Sequence, residues 1–456
     1  MQIFCLGIEN VAKKILGIKL SAFPLFVLYF FFFLVFATCS KAVRVPAPPP
    51  WAENEQLTFF SENPTIDIYL DASASMRGFT TPGYQTYFAQ FIQNIESSVF
   101  STWPKGKTNL KKFGTQVYPI SHADFLNAAS PNFYNEPETR IDRVIEGANA
   151  RCLSLIITDL FQNEADTLTL SRFIFEKFVR TGLAVGILGI RSQFDGIVFD
   201  VGVNGLQFSY RSTNEPNKFR PFYILMLGKH ADIIHYYERL TSDYLNNYVT
   251  QFSLFSRYIV RTLPSFDNSK VVNTYRMNEV LSLLASGKRD YRVKQFRLRR
   301  NADIGAFKVT LSYNREPFTI YSNLNLLEYQ VKLINQTNLD GAVIHEAENA
   351  FTINSLQVDT KEINFNISFN ATNLPSNAIY CFEVSLYPQP EAYRIPDWVS
   401  RWNMNTTKLQ NWINAPLTFE GDSTLNLKRF VDEIAQTTIR FHKPMLAKVY
   451  FYIKKG

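Results

Sequence analysis

Three runs most constrain how this chain can fold: "CLSLIIT" (152–158), "LAVGILGI" (183–190) and "FYILMLG" (222–228). Each is short and almost wholly apolar, the pattern of a strand covered on both faces. Segments with apolar residues at helical spacing alternate with them: "YQTYFAQFIQNIESSVF" (84–100), "RIDRVIEGANA" (140–150), "TLSRFIFEKFVRT" (169–181) and "HADIIHYYERL" (230–240). With "TIDIYL" (65–70) and "KKFGTQVYPI" (111–120) as further strands, this alternation predicts an α/β domain over 64–249, built on a doubly wound, mostly parallel sheet. The stretch 194–220, with Gly-rich turns between alternating residues, predicts a β-hairpin inserted before the last strand.

From about residue 250 the texture changes. "RVKQFRLRR", "AFKVTLSY", "LEYQVKLINQ", "INFNISFNAT" and "IYCFEVSLYP" alternate in polarity between Asn- and Asp-bearing turns. They predict a β-rich, antiparallel, sandwich-like C-terminal domain over 250–456. A helix (425–439) and a strand (447–453) close it. A length of 456 residues suits this division, and 46% apolar against 19% charged residues excludes a disordered chain.

Residues 1–40 read as a leader or anchor. Lys13, Lys14 and Lys19 precede the uncharged "LSAFPLFVLYFFFFLVFATC" (20–39), which has the length a bilayer core demands of a helix. Positive charge ahead of it predicts a cytoplasmic N-terminus and an exported remainder, periplasmic or cell-surface; Lys41 and Arg44 beyond it reduce that asymmetry. Two outcomes stay open. The segment is an uncleaved anchor, or a signal peptide cut before Cys39, which is then lipidated as in bacterial lipoproteins; "FATC" matches a lipobox only loosely. Residues 41–63 form a linker, and "VPAPPP" within it predicts an extended stalk. The four cysteines, Cys5, Cys39, Cys152 and Cys381, have no metal-binding spacing.

A net charge of +7 permits attraction to anionic surfaces without identifying nucleic acid as a partner. The basic stretch 288–301 reads as the charged face of an edge strand. No HExxH and no Gly-rich phosphate loop occurs, and His230 and His235, five apart on one helix, do not face one point. The Asn-x-Ser/Thr sites at Asn335, Asn366, Asn370 and Asn405 are glycan acceptors only on a eukaryotic secretory route.

The strand "TIDIYL" runs into "DASAS", so Asp71, Ser73 and Ser75 occupy alternate positions just past its carboxyl end. In an open α/β sheet that end is where ligands bind. "LIITDL" ends a second apolar run with Thr158 and Asp159 at the same edge, and "ETRI" sets Thr139 ahead of a helix between the two. All are oxygen donors, which hard cations take. One carboxylate with two hydroxyls leaves a divalent ion under-neutralised and still attractive to an external anion. The bland alternative is that the hydroxyls cap the following helix, that Asp71 accepts backbone N–H bonds, and that Thr139 is only a helix N-cap.

The order of Asp71, Ser73, Ser75, Thr139 and Asp159 resembles the von Willebrand factor A family and its metal-ion-dependent adhesion site, over roughly residues 64–245. The resemblance implies that Ser73 and Ser75 bind magnesium directly, with manganese or calcium as substitutes. It implies that Asp71, Thr139 and Asp159 act directly or through water, and that an Asp or Glu of a protein partner completes the shell. Two residues depart from the pattern: Leu160 stands where many members have Gly, and Arg77 lies beside the loop. The expected function is a membrane-tethered, metal-dependent interaction protein without catalysis. The alternative is a scaffold subunit that binds mainly through its C-terminal β domain, with the metal site incidental.

Overall fold

The chain enters its first sheet through β1 (Thr65–Asp71), followed by β2 (Lys107–Phe113), β3 (Val117–Pro119), β4 (Leu153–Thr158) and β5 (Ala184–Ser192). Strands β6 (Asp195–Val201) and β7 (Leu206–Arg211) then pair with each other as an antiparallel hairpin, inside the stretch expected to carry one. Strands β8 (Arg220–Gly228) and β9 (Thr250–Phe255) complete a seven-stranded sheet in the order β3–β2–β1–β4–β8–β5–β9. The computed structural model describes residues 59–80, 85–161, 164–202, 204–212, 214–266, 272–273, 278–279, 293–298, 304–338, 350–370, 372 and 378–455, which belong to one compact unit. The apolar segment 20–39, Cys39 and the proline stalk lie outside them, as do the side chains of the basic strand 293–298. Among the described residues no helix is long and apolar enough to cross a membrane.

The α/β class is as the alternation of apolar runs and amphipathic helices requires, but the sheet is mixed rather than mostly parallel. Only β2–β1–β4 are parallel neighbours; β8 is antiparallel to both β4 and β5, and β9 is antiparallel to β5. Strands β4 and β5 therefore run the same way with β8 between them. The cause is the hairpin. It returns the chain to the carboxyl edge of the sheet, so the next strand must run back toward the amino edge.

Helix α1 (Tyr87–Thr102) packs with α5 (His230–Asp243) on one face, against Ile66, Ile68 and Leu70 of β1 and Phe222, Ile224 and Met226 of β8. The short α2 (His122–Leu126) lies on that side too, through Phe125. The opposite face, with Tyr69, Ile156 and Leu225, takes α3 (Ile141–Gly147) and α4 (Glu164–Ile174). Period-2 alternation thus supplies both layers from the same strands. Helix α1 starts at Tyr87, later than its apolar spacing begins, because Thr86 caps it by accepting from the Ala89 N–H. The helix expected over 169–181 begins at Glu164 and ends in a π turn, Phe175–Val179.

On α5, His230 is buried, 3.1 Å from the Ser256 hydroxyl through Nδ1. Burial, then the Arg261 charge, lowers its pKa from 6.5 to about 4. The unfolded chain therefore takes up a proton below 6.5 that the fold refuses, and stability is lost as pH falls from 6.5 toward 4, by about 3 kcal/mol. Urea unfolding of the wild type and His230→Gln at pH 7 and 4.5 should show a smaller acid loss in the variant. Contributions from other groups cancel in that comparison.

The β-rich part has two facing sheets. One contains β10 (Val260–Phe266), β11 (Val272–Asn273), β14 (Ile304–Arg315), β16 (Phe351–Val358) and β17 (Glu362–Asn370); the other contains β12 (Asn278–Glu279), β13 (Val293–Leu298), β15 (Leu327–Asn338), β18 (Ala378–Pro388) and β19 (Ala447–Lys455). Phe351 stacks on Phe382, 4.8 Å between centroids, and Phe307 meets Phe451, so the sheets pack inner face to inner face. The pairs are antiparallel except β13–β19. Cys152 and Cys381 are both free and buried.

The C-terminal helices return to the first sheet. These are α6 (Asp397–Trp402), α7 (Leu409–Asn414) and α8 (Leu427–Phe441). The Trp398 indole N–H donates to the Ser253 hydroxyl at 3.0 Å, and Trp402 lies so close to Gly189 that a Cβ there would sit 2.6 Å from its ring. Val431 and Ile434 of α8 share one apolar cluster with Ile174, Val185 and Phe382. The α/β sheet and the sandwich therefore have a continuous core.

Candidate metal centre

Strand β1 ends at Asp71 because the backbone there changes partners. Ala72 N–H donates to Phe113 O, and the chain then pairs with the incoming loop through Glu136 N–H to Ala72 O and Ala74 N–H to Glu136 O. A 3-10 turn, Ala74–Thr80, follows. The turn aims the Asp71 carboxylate inward, where it is fully buried. Its oxygens accept from the Ser73 N–H at 2.9 Å and the Thr158 hydroxyl at 2.8 Å. The Ser73 and Ser75 hydroxyl oxygens are 3.1 Å apart, and Ser75 lies near enough to Asp159 to favour its charged form. Four of the five expected residues thus gather at the carboxyl edge of β1 and β4, with Asp71, Ser73 and Ser75 linked by hydrogen bonds and Asp159 beside them.

The fifth, Thr139, is placed differently. Its loop is drawn to the cluster by the Glu136 backbone pairing, but among the described residues its half-exposed side chain makes no hydrogen bond. It is not the N-cap of α3 either; Arg140 holds that position. Thr158, by contrast, stood in the sequence beside Asp159, and the structure gives it a direct bond to Asp71.

Asp159 follows the last residue of β4 and is buried. One oxygen accepts from the Phe161 N–H at 3.2 Å; Oδ2 has no hydrogen-bond partner. Leu160 between them has φ 51°, left-handed backbone that glycine adopts freely and leucine at a cost of about 1–2 kcal/mol. This accounts for the Gly expected there: the turn requires the conformation, and Leu160 keeps it while burying its side chain.

Arg77 does not approach the carboxylates. It is exposed, and its guanidinium donates to Tyr134 O at 2.8 Å. The cation at the cluster is Arg220, whose Nη2 lies 3.7 Å from Asp159 Oδ2, both side chains 2% exposed. Sequence reading missed it because its position depends on the direction of β8. In the antiparallel register Thr158 faces Tyr223, so the residues before Tyr223 overhang the end of β4. The available signal was a lone Arg opening the apolar run 220–228.

Burial, then the charge of Asp159, pushes the Asp71 pKa up to about 7, against the hydrogen bonds from Ser73 and Thr158. Burial raises Asp159 too, with Arg220 opposing. Arg220 is lowered by burial but stays charged, given the high intrinsic value of a guanidinium. Two carboxylates against one guanidinium leave one uncompensated negative charge when both are ionised.

No protein-family model matches this chain. No curated protein matches it either. What stands is an α/β domain with a mixed sheet, followed by a β-rich region, with a polar cluster at the sheet's carboxyl edge. Among the described residues no group of three or more His, Cys, Asp or Glu comes together. The donors available for a cation are two carboxylates and the hydroxyls of Ser73, Ser75 and Thr158. The orphaned Oδ2 of Asp159 and the surplus negative charge fit a small hard cation.

Proposed function

We propose that this is a membrane-tethered, metal-dependent protein-binding module, a divergent member of the von Willebrand factor A family. Asp71, Ser73, Ser75 and Asp159 would hold magnesium, or manganese or calcium, with Thr139 available from the adjoining loop. The reading rests on one observation above the others: a buried carboxylate oxygen that no hydrogen bond serves, beside a second buried carboxylate and two adjoining hydroxyls, with one guanidinium as the only counter-charge to the pair among the described residues. When bound, the ion supplies a strong positive field toward an incoming anion. The protein's own part is to fix the donors and to exclude water around Asp71 and Asp159. An exposed Asp or Glu of a partner protein is the ligand this chemistry suits.

We assign it no catalytic step. His230 is engaged with Ser256 and His235 stacks on Phe60, so neither imidazole is offered to the cluster as a base. The segment 20–39 supplies the membrane tether, as an anchor or through lipidated Cys39, and places the folded part outside the cytoplasm.

The test is a pull-down with the exported portion, residues 41–456, in magnesium and in EDTA. Capture of an acidic partner in magnesium and its loss in EDTA support the reading. Equal capture in both rejects it in favour of a scaffold that binds through the sandwich.

A further inference from the structure

The chain between Met404 and Ser423 leaves the body and returns to its starting point. Met404 N–H donates to Thr424 O and Thr424 N–H to Trp402 O, both at 2.8 Å, so the ends are pinned together. Between them Trp412 and Phe419 are buried, and Phe419 stacks on Phe208 of β7 at 4.6 Å. Gly421 is pressed to Tyr210, where a Cβ would lie 2.4 Å from the ring. This strap covers the β6–β7 hairpin, and the hairpin touches the 3-10 turn after Ser73: a Cβ at Gly196 would lie 2.9 Å from Gly78 Cα.

Arg220 joins the strap to the cluster. Its Nη1 donates to Gly421 O at 2.9 Å and Ser423 O at 3.3 Å, while Nη2 faces Asp159 Oδ2 at 3.7 Å. The rings of Phe161 and Phe194 flank the guanidinium at 5.0 and 5.3 Å. One buried cation is thus divided between a candidate metal ligand and two carbonyls of the strap.

We propose that Arg220 couples the strap to the centre, so that a divalent cation on Asp159 and the docked strap oppose each other. The inference rests on the metal reading above. A cation on Asp159 takes the guanidinium's counter-charge and sets a like charge beside it where water is excluded. The guanidinium is a rigid planar fork, so withdrawing Nη2 from Asp159 also draws Nη1 off the strap carbonyls. By linkage, strap docking weakens the cation to the same degree. The strap carries exposed Ile413 and fully exposed Leu417, so its release changes the surface beside the hairpin.

Hydrogen exchange of residues 41–456 tests this, followed at the amides of Met404, Thr418, Phe419 and Thr424, with Glu362–Asn370 as the internal control. Saturating magnesium should speed exchange in the strap about tenfold and leave the control unchanged. Asp159→Asn without metal should also speed it, and magnesium should then add nothing. A rise in Tm on adding magnesium with strap exchange unchanged within about twofold overturns the coupling and leaves the metal reading standing. No rise in Tm in the wild type rejects the metal reading, while wild-type exchange in Asp159→Asn rejects the Arg220 link by itself.

Discussion

Asp71→Asn should abolish the response to magnesium while the domain stays folded. The amide is the same size as the carboxylate. Its oxygen can accept from Ser73 and its nitrogen can donate to the Thr158 hydroxyl, replacing the two bonds now made at 2.9 and 2.8 Å. What it cannot replace is charge. With Asp71 neutral, Asp159 and Arg220 cancel, and the attraction for a divalent ion goes with the surplus. At a hundredfold excess over its Kd, magnesium should stabilise the wild type by about 2.7 kcal/mol; in Asp71→Asn the same titration should move the urea midpoint by nothing measurable. Partner capture should fall to the EDTA level. A variant that keeps the full magnesium increment places the ion elsewhere.

Arg220→Ala should be the most damaging single substitution at the cluster. The guanidinium is 2% exposed and serves Asp159, Gly421 O and Ser423 O together. Removing one partner of a buried pair typically costs about 3–5 kcal/mol, because the other charge is left uncompensated. Here Asp159 would be left beside Asp71, whose burial already disfavours ionisation. In EDTA the urea midpoint should drop accordingly. Magnesium should restore part of the loss, since a cation on Asp159 replaces the missing positive charge but not the hydrogen bonds to the strap. Arg220→Lys should recover little, for an ammonium cannot span three acceptors in a plane. A loss below about 1 kcal/mol for Arg220→Ala would place the guanidinium outside the energetics of the fold.

Much of this arrangement was legible in the sequence. The uninterrupted apolar runs at 153–158 and 184–190 became fully buried strands, and the alternate placement of Asp71, Ser73 and Ser75 after β1 became a hydrogen-bonded chain. Strand direction was not legible. A fully apolar strand such as Tyr223–Gly228 reads alike in both directions, and only the returning hairpin makes β8 antiparallel, which is what carries Arg220 to Asp159. The continuous core was hidden for a similar reason. Trp398, Trp402 and the apolar face of α8 show amphipathic spacing, yet spacing does not say which surface receives them. The gap at Thr139 has a local cause: the loop is registered through the backbone of Glu136, three residues earlier, and nothing in the threonine itself decides its direction.

The position of β8 bears on how the molecule is made. Strand β4 lacks a neighbour on one side until residues 220–228 arrive, and the apolar cluster beneath α3 and α4 is not complete until Leu427–Phe441 follow. A chain emerging amino end first would carry a mostly apolar strand edge unpaired between the synthesis of Thr158 and that of Gly228, the condition in which strands pair with the wrong partners. Assembly would then come late and as one event, with slow kinetics set by contacts hundreds of residues apart. Under the export proposed above, the core would close only once the last helix, Leu427–Phe441, is through the membrane.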